Sequence, residues 1–146
     1  MTYNKLGFAF VGLKTISFAK IETAYKKTGE IDLITNLGFG IDVDDHTITC
    51  TTKSSFEKKK NQPFLIIELQ GFFEIKKDDF NKKVKQPDGS YLISQSLATH
   101  FAVLMFGSAR GVLHAKTEGT IFNQYLLPTM DVKNMIQEDL ILNSSG

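Results

Sequence analysis

Hydrophobic and polar residues alternate through the first half of the chain, in runs that are typical of β-strands. In residues 6–20, Phe8 and Phe10 fall on the same face, as expected of a strand with one buried side. Two more β-rich runs cover residues 31–43 and 46–56, and the acidic corner between them favours a tight turn. We therefore predict three strands in this part of the chain.

The next apolar run, residues 63–77, carries Phe, Leu or Ile at both odd and even positions. A strand that is apolar on both faces is expected to be covered on both faces. The lysines at residues 58–60 and the following Pro63 predict a solvated hairpin tip, because like charges rarely pair in a sheet and proline cannot donate a ladder hydrogen bond. Residues 6–77 thus predict about four strands in an antiparallel meander or Greek key.

The pattern changes to a helical period in the second half. Large apolar residues recur at three- and four-residue steps from about residue 94 to about residue 118. Ser94 is a suitable N-cap, and Gly119 is well placed to end the helix in a left-handed conformation. After an extended loop, a short final helix is predicted from about residue 131 to about residue 142. The 146 residues are expected to form one α+β domain, residues 1–146.

Small residues form a second stripe on the long helix. Gly107, Gly111 and Ala115 recur at a strict four-residue spacing. Two glycines cost a helix roughly 1–2 kcal/mol against alanine, so they indicate either close approach of another helix or sheet, or a local kink near Gly107.

Charge and cysteine content narrow the functional classes. The chain has 17 Lys and Arg against 16 Asp and Glu, which leaves no basic surface for nucleic acid. One cysteine cannot form an intrachain disulfide, as is usual in reduced compartments. The uncharged stretch from Tyr91 to Ala109 contains Ser, Thr, Gln and His side chains that lipid would reject. We expect a cytoplasmic protein that neither binds nucleic acid nor inserts into a membrane.

No group of residues has the spacing of a catalytic, metal or cofactor site. His100 and His114 are 14 residues apart, or about 21 Å along a helix, and His46 is remote in sequence. The acidic residues 42–45 lack the glycine pivot of a calcium loop, and Cys50 has no neighbouring histidine. We predict no metal, no cofactor and no enzyme activity. A small enzyme with a site assembled from distant residues stays a remote alternative, which a deep polar pocket around one of the histidines would favour.

The aromatic content is the least ordinary feature. The chain contains twelve Phe and four Tyr residues but no Trp. Large apolar side chains also cluster beside glycine and proline, at Phe72, Phe73, Phe122, Tyr125, Leu126 and Leu127. They must either form a thick core or mark an interface or a groove for an apolar peptide.

An ordered set of short motifs then points to one family. The long helix contains Ala109-Arg110, and Gly119-Thr120, Leu126 with Pro128, and residues 132–136 follow in order. Through these motifs residues 108–136 resemble the C-terminal region of the SecB protein-export chaperones. The segments LIIELQGFFEI (65–75) and LKTISFA (13–19) are similar to two strands of the same family. Together these segments cover most of the chain in the family's order.

The resemblance implies both a fold and a function. The implied fold is a four-stranded antiparallel, Greek-key-like sheet with one long and one short C-terminal helix, assembled as a dimer of dimers. The implied function is ATP-independent holding of non-native polypeptides, with a role in protein export. The positions expected to line the peptide groove, about half of them core residues instead, are Leu65, Ile67, Phe122, Tyr125, Leu127 and Val132. The positions expected at the oligomer interface are Phe101, Met105, Gly107, Gly111 and Ala115.

The chain departs from the family where the SecA motor docks. The family carries acidic residues on its first strand, whereas Thr15 and Ala19 occupy the matching positions here. A later acidic position matches as Glu68, next to Ile66, so these two residues are the expected SecA contact. The near-neutral charge also differs from the usually acidic family. Holding of clients is therefore a firmer expectation than SecA delivery, and service to one dedicated partner, such as an antitoxin, is the alternative.

Overall fold

The first half of the chain folds into one antiparallel sheet. A computed structural model of the protein describes residues 7–143. The four strands are β1 (Phe8–Lys20), β2 (Asp32–Asp42), β3 (Thr47–Lys59) and β4 (Gln62–Ile75). Their spatial order is β1-β4-β3-β2, and every neighbouring pair is antiparallel. The predicted four-stranded sheet with a Greek-key order is thus confirmed.

The connections explain this order. β2–β3 and β3–β4 are joined by tight turns in which His46 and Asn61 adopt φ values of 51° and 64°. Asn is one of the residues that reach this left-handed region most readily. The connection between β1 and β2, residues 21–31, instead crosses from one edge of the sheet to the other. We call residues 21–31 the crossover segment.

A long helix, α2 (Gln95–Thr117), covers one face of the sheet. The hydroxyl of Ser94 accepts a hydrogen bond from the backbone N–H of Leu97 at 3.2 Å, and Gly119 has a φ of 77°, so the predicted helix start and end are confirmed. Phe101 of α2 stacks on Phe73 of β4 with ring centroids 4.1 Å apart. By length and hydropathy α2 could cross a bilayer, a property that long core helices share.

β4 is buried on the face that meets α2. The inner side chains are almost fully buried, namely Leu65, Ile67, Leu69, Phe73 and Ile75. On the opposite, outer face, Ile66 and Phe72 are only half-buried. The expectation that β4 is covered on both faces is therefore wrong for Ile66 and Phe72 within the described residues, because α2 packs against the inner face alone.

The elements after the sheet differ from the prediction in two places. A short helix α1 (Lys77–Asp79) continues into a π-helical turn, Phe80–Val84, in a part of the chain for which no helix was predicted. The final helix α3 spans only Val132–Met135. The prediction of a helix to about residue 142 is wrong, because Leu140–Asn143 forms strand β6, which pairs with β5 (Ser90–Ile93).

Contacts with the start of α2 account for the short α3. The side-chain amide of Gln95 donates to the carbonyl oxygen of Ile136 at 2.9 Å, and the backbone N–H of Gln95 donates to the Asp139 carboxylate at 2.7 Å. These bonds draw residues 136–139 across the helix start and bring the apolar run that follows onto β5. Tertiary pairing thus overrides the helical tendency of a short segment.

Candidate functional site

An open groove lies between β2 and the C-terminal segment. Its volume is about 860 Å³. One wall is formed by Thr35, Asn36, Leu37 and Phe39 of β2, and the other by Asn134, Met135, Ile136, Gln137, Glu138 and Leu140. Half of these side chains are apolar, and Glu138 is the one charged group among them. We call this cleft the β2 groove.

The position of α2 leaves the β2 wall partly uncovered. Leu37 pairs with Thr52, and Phe39 pairs with Cys50, so both side chains lie on the inner face of the sheet. The residues of β3 and β4 on that face are fully buried, whereas Leu37 and Phe39 are half-buried. The inner face thus continues beyond the core as an apolar strip at the edge of the sheet.

β2 also offers its backbone. Within residues 7–143 it pairs with β3 on one side and with no strand on the other. An edge strand presents a row of N–H and C=O groups that a second extended chain can bond to irrespective of sequence. The groove therefore combines apolar contacts with backbone hydrogen bonding along Asp32–Asp42.

A closed aromatic cluster adjoins the groove where β2 begins. Five rings from four segments form it: Tyr25, Phe56, Phe64, Phe122 and Tyr125. Phe56 pairs across the sheet with Leu33, which lies two residues before the groove residue Thr35 on the same face of β2. The cluster and the β2 groove are thus consecutive along one strand.

Hydrogen bonds hold the segment that carries two of these rings. The Arg110 guanidinium donates from Nε to the carbonyl oxygen of Leu127 at 2.7 Å and from Nη2 to that of Pro128 at 2.8 Å. The Thr120 hydroxyl accepts from the backbone N–H of Phe122 at 3.1 Å and so caps the 3₁₀ turn Ile121–Gln124. This geometry turns Phe122 and Leu127 toward the core.

The six residues predicted to line the peptide groove are all buried. Their exposed fractions do not exceed 7% for Leu65, Ile67, Phe122, Tyr125, Leu127 and Val132. About half were expected in the core, and the structure places all six there. The prediction of an open groove lined by these side chains is therefore wrong for this conformation. The physical reason is that α2 and residues 120–132 pack directly over the inner face.

Sequence reasoning also missed the residues that do line the groove. Leu37, Phe39, Met135 and Leu140 were treated as parts of regular elements. A partial signal was present, since Leu37 and Phe39 recur at a two-residue spacing, as expected of a strand with one apolar face. The edge position, however, follows from the strand order rather than from local sequence.

The residues expected at the SecA contact lie on the outer face. Ile66 and Glu68 are half-buried neighbours on that side of β4. The Ser17 hydroxyl donates to Glu68 Oε1 at 3.4 Å. Ala19 pairs with Ile66 on this face, whereas Thr15 pairs with Leu69 and so belongs to the inner side.

The residues predicted for the oligomer interface separate into two groups. Phe101 and Met105 are fully buried against the sheet, so their placement at an interface between subunits is wrong. Gly107, Gly111 and Ala115 lie exposed on the other side of α2. A Cβ added at Gly107 or Gly111 would meet nothing within 4 Å. The helix runs continuously through both glycines, so its own packing does not require them.

The groups considered for metal binding and nucleophilic chemistry lie apart from one another or are buried in the described part of the chain. No three His, Cys, Asp or Glu side chains among residues 7–143 could share a metal ion. Burial raises the pKa of the Cys50 thiol to about 12, which keeps it protonated at neutral pH. His46 borders a second open depression, of about 570 Å³, on the outer face, and the neighbouring Asp42, Asp44 and Asp45 are exposed to solvent. This arrangement fits a solvated turn.

Comparisons with known proteins support the fold. No protein-family model matches the chain, and no curated protein matches its sequence. Among solved structures, the SecB-like chaperone Rv1957 of Mycobacterium tuberculosis, in complex with a ChAD peptide from the antitoxin HigA1 (Rv1956), matches with a TM-score of 0.53. The match covers 84% of this chain and 90% of the other at 10% sequence identity. The protein described here has a SecB-like fold.

Proposed function

We propose that this protein is an ATP-independent holding chaperone that binds an extended, apolar segment of a non-native polypeptide in the β2 groove. The observation that carries the proposal is the half-buried pair Leu37 and Phe39 at a free strand edge, in a SecB-like fold. An edge strand supplies sequence-independent hydrogen bonds, and the apolar half of the lining, which includes Leu37, Phe39 and Met135, can hold hydrophobic side chains of a client.

Flexible side chains on the far wall suit varied clients. Met135 is 40% exposed and faces the β2 wall across the groove. Methionine adapts to differently shaped apolar partners because its side chain is unbranched and polarizable. Asn134 and Gln137 provide amide groups for the polar atoms of a bound segment.

A dedicated partner is the second candidate. The matched M. tuberculosis chaperone carries a peptide from an antitoxin, and this fact favours a client that is one specific protein. Such a protein would bind one partner tightly and would ignore unfolded chains in general.

Two further proposals concern delivery to SecA and assembly into an oligomer. Delivery to SecA would use Ile66 and Glu68 on the outer face, without acidic residues at Thr15 and Ala19. Assembly as a homotetramer, a dimer of dimers, would use the exposed face of α2 with Gly107. We also propose a cytoplasmic location, because a single cysteine that cannot form an intrachain disulfide is usual in a reducing compartment.

The proposed function is tested by light scattering of a refolding client protein with and without this chaperone, in the absence of nucleotide. Suppressed aggregation at near-stoichiometric amounts supports a general holdase. Unchanged aggregation of several unrelated clients, together with tight capture of one partner, supports the dedicated role. A protein that does neither contradicts both.

A further inference from the structure

The crossover segment packs on the body of the protein through two side chains, Ala24 and the larger Tyr25. Residues 26–31 are all exposed, and Gly29 adopts a φ of 110° with nothing within 4 Å of an added Cβ. Tyr25, immediately before them, is half-buried and inserts its ring among Phe64, Phe122 and Tyr125 at centroid distances of 5.0, 5.2 and 6.0 Å. Apart from this ring and the small Ala24 side chain, no side chain of the segment packs against the core, and segments with so few buried contacts are the ones that open locally.

A hydroxyl pair fastens this ring. The Oη atoms of Tyr25 and Tyr125 are 2.8 Å apart and share a hydrogen bond across 100 residues of sequence. Lys58 adds a second attachment, since its Nζ lies 5.1 Å from the Tyr25 ring centroid and 5.9 Å from that of Tyr125. The same Nζ donates to the carbonyl oxygen of Lys27 at 3.1 Å.

The ring covers an apolar surface that continues the β2 groove. Phe64 and Phe122 are at most 1% exposed, and both contact Tyr25. Through Phe56 and its cross-strand partner Leu33, this surface reaches the groove wall that begins at Thr35. Withdrawal of Tyr25 would therefore lengthen the groove toward the start of β2.

We propose that the crossover segment is a lid over this end of the β2 groove, and that the Tyr25–Tyr125 hydroxyl pair is its latch. The inference rests on the proposed function and concerns the regulation of the same site. In the closed state Tyr25 occupies the place that an apolar side chain of the client takes when the lid opens. The latch thus lowers the apparent affinity for clients, because only the open fraction can bind along the full length.

When the lid opens, two of the side chains that were expected to line the peptide groove become accessible to a client. Phe122 and Tyr125 are buried while the lid is closed and become accessible at the end of the groove when it opens. Leu65 and Ile67 lie under α2 and stay in the core in both states.

Amide hydrogen exchange measures how readily the lid opens in the absence of a client. The backbone N–H of Ile21 donates to the Phe64 carbonyl oxygen, and those of Ala24 and Tyr25 donate to Ile21 and Glu22. Their exchange rates report the opening of the segment. Tyr25→Phe and Tyr125→Phe each remove the same hydrogen bond while keeping both rings. Each variant is expected to raise exchange on the order of 2- to 12-fold, and the double variant no further.

Peptide binding separates the lid from the proposed function. Affinity for a fluorescein-labelled, permanently unfolded apolar peptide should rise in each variant by the same factor as the exchange rate. Tyr91→Phe, whose ring lies against Phe80 and away from the lid, should change neither measurement.

Unchanged exchange in Tyr25→Phe, or fully additive effects of the two substitutions, would overturn the latch. Faster exchange with unaltered peptide affinity would overturn the lid as a regulator while leaving the proposed function intact. A natural-sequence protein that binds no peptide would overturn the proposed function, whereas the exchange result would still decide whether the latch exists.

Discussion

The sulfur atom of Met105 packs directly against Gly71, where the long helix meets the centre of the sheet. A side chain at position 71 would collide with that sulfur atom and also approach the Phe73 ring. Glycine in the middle of a strand is otherwise unfavourable, and here it permits the close approach of α2 to β4. This approach buries the inner face of β4, whereas β2, at one edge of the sheet, stays partly uncovered.

Gly71→Ala should destabilise the fold by about 1–3 kcal/mol, because it overpacks a core without free space. The free energy of unfolding from urea denaturation is the measurement. Gly107→Ala is the matched control, since its Cβ meets nothing and alanine is the better helix former by about 0.8–1 kcal/mol. Equal effects of the two substitutions would contradict the described helix–sheet contact.

Arg110→Ala should lower the thermal midpoint by removing two hydrogen bonds to the segment that carries Leu127 and Pro128. Each bond from a charged donor contributes about 1.5–3 kcal/mol, with the smaller value expected where water can replace it. Arg110→Lys should recover only part of the loss, because an ammonium cannot match the planar fork. The thermal midpoints of both variants are measured by calorimetry. Full recovery of the midpoint in the lysine variant would contradict the bidentate contact of the Arg110 guanidinium.

Substitution of Gly111 by Leu should break an assembly that uses the exposed face of α2. The residue is exposed and unneeded for the packing of its own chain, so the monomer should fold normally. Light scattering is expected to show a tetramer for the unaltered protein and a smaller particle for Gly111→Leu. An unchanged mass in the variant would place the subunit interface elsewhere.

The latch should weaken at high pH. The hydrogen bond with Tyr125, followed by burial, raises the pKa of Tyr25 above its usual value of 10.0. A raised pKa means that the folded state prefers the protonated phenol. The stabilisation is thus complete below pH 10 and is lost as the pH rises through the folded-state pKa. Absorbance titration of tyrosinate should show a late-ionising group that Tyr125→Phe moves to lower pH.

The sequence could predict elements whose signals are local. Ser94 and Gly119 bound α2 as expected, and the alternation around Phe8 and Phe10 predicted β1. The strand Leu140–Asn143 was missed because a run of three apolar residues does not distinguish a strand from a helix until β5 is beside it.

The candidate site was harder to predict than the fold. The family resemblance pointed to Leu65, Phe122 and Val132 as groove residues, and these residues are core, since burial depends on where α2 lies. The β2 groove arises because the strand order puts Asp32–Asp42 at the edge, beyond the cover of the helix. That order results from pairing between distant segments, which no local pattern encodes.

Binding of clients in the β2 groove is measured by fluorescence anisotropy of a labelled, permanently unfolded apolar polypeptide. Met135→Ser and Leu37→Ser, on the two walls of the groove, are compared with Ile34→Ser, which lies on the same strand but points to the outer face. We predict roughly tenfold weaker binding for each wall variant, as expected for loss of about 1–2 kcal/mol of apolar contact, and unaltered binding for Ile34→Ser. Binding that is insensitive to both wall substitutions, or that is weakened equally by all three, would contradict the account.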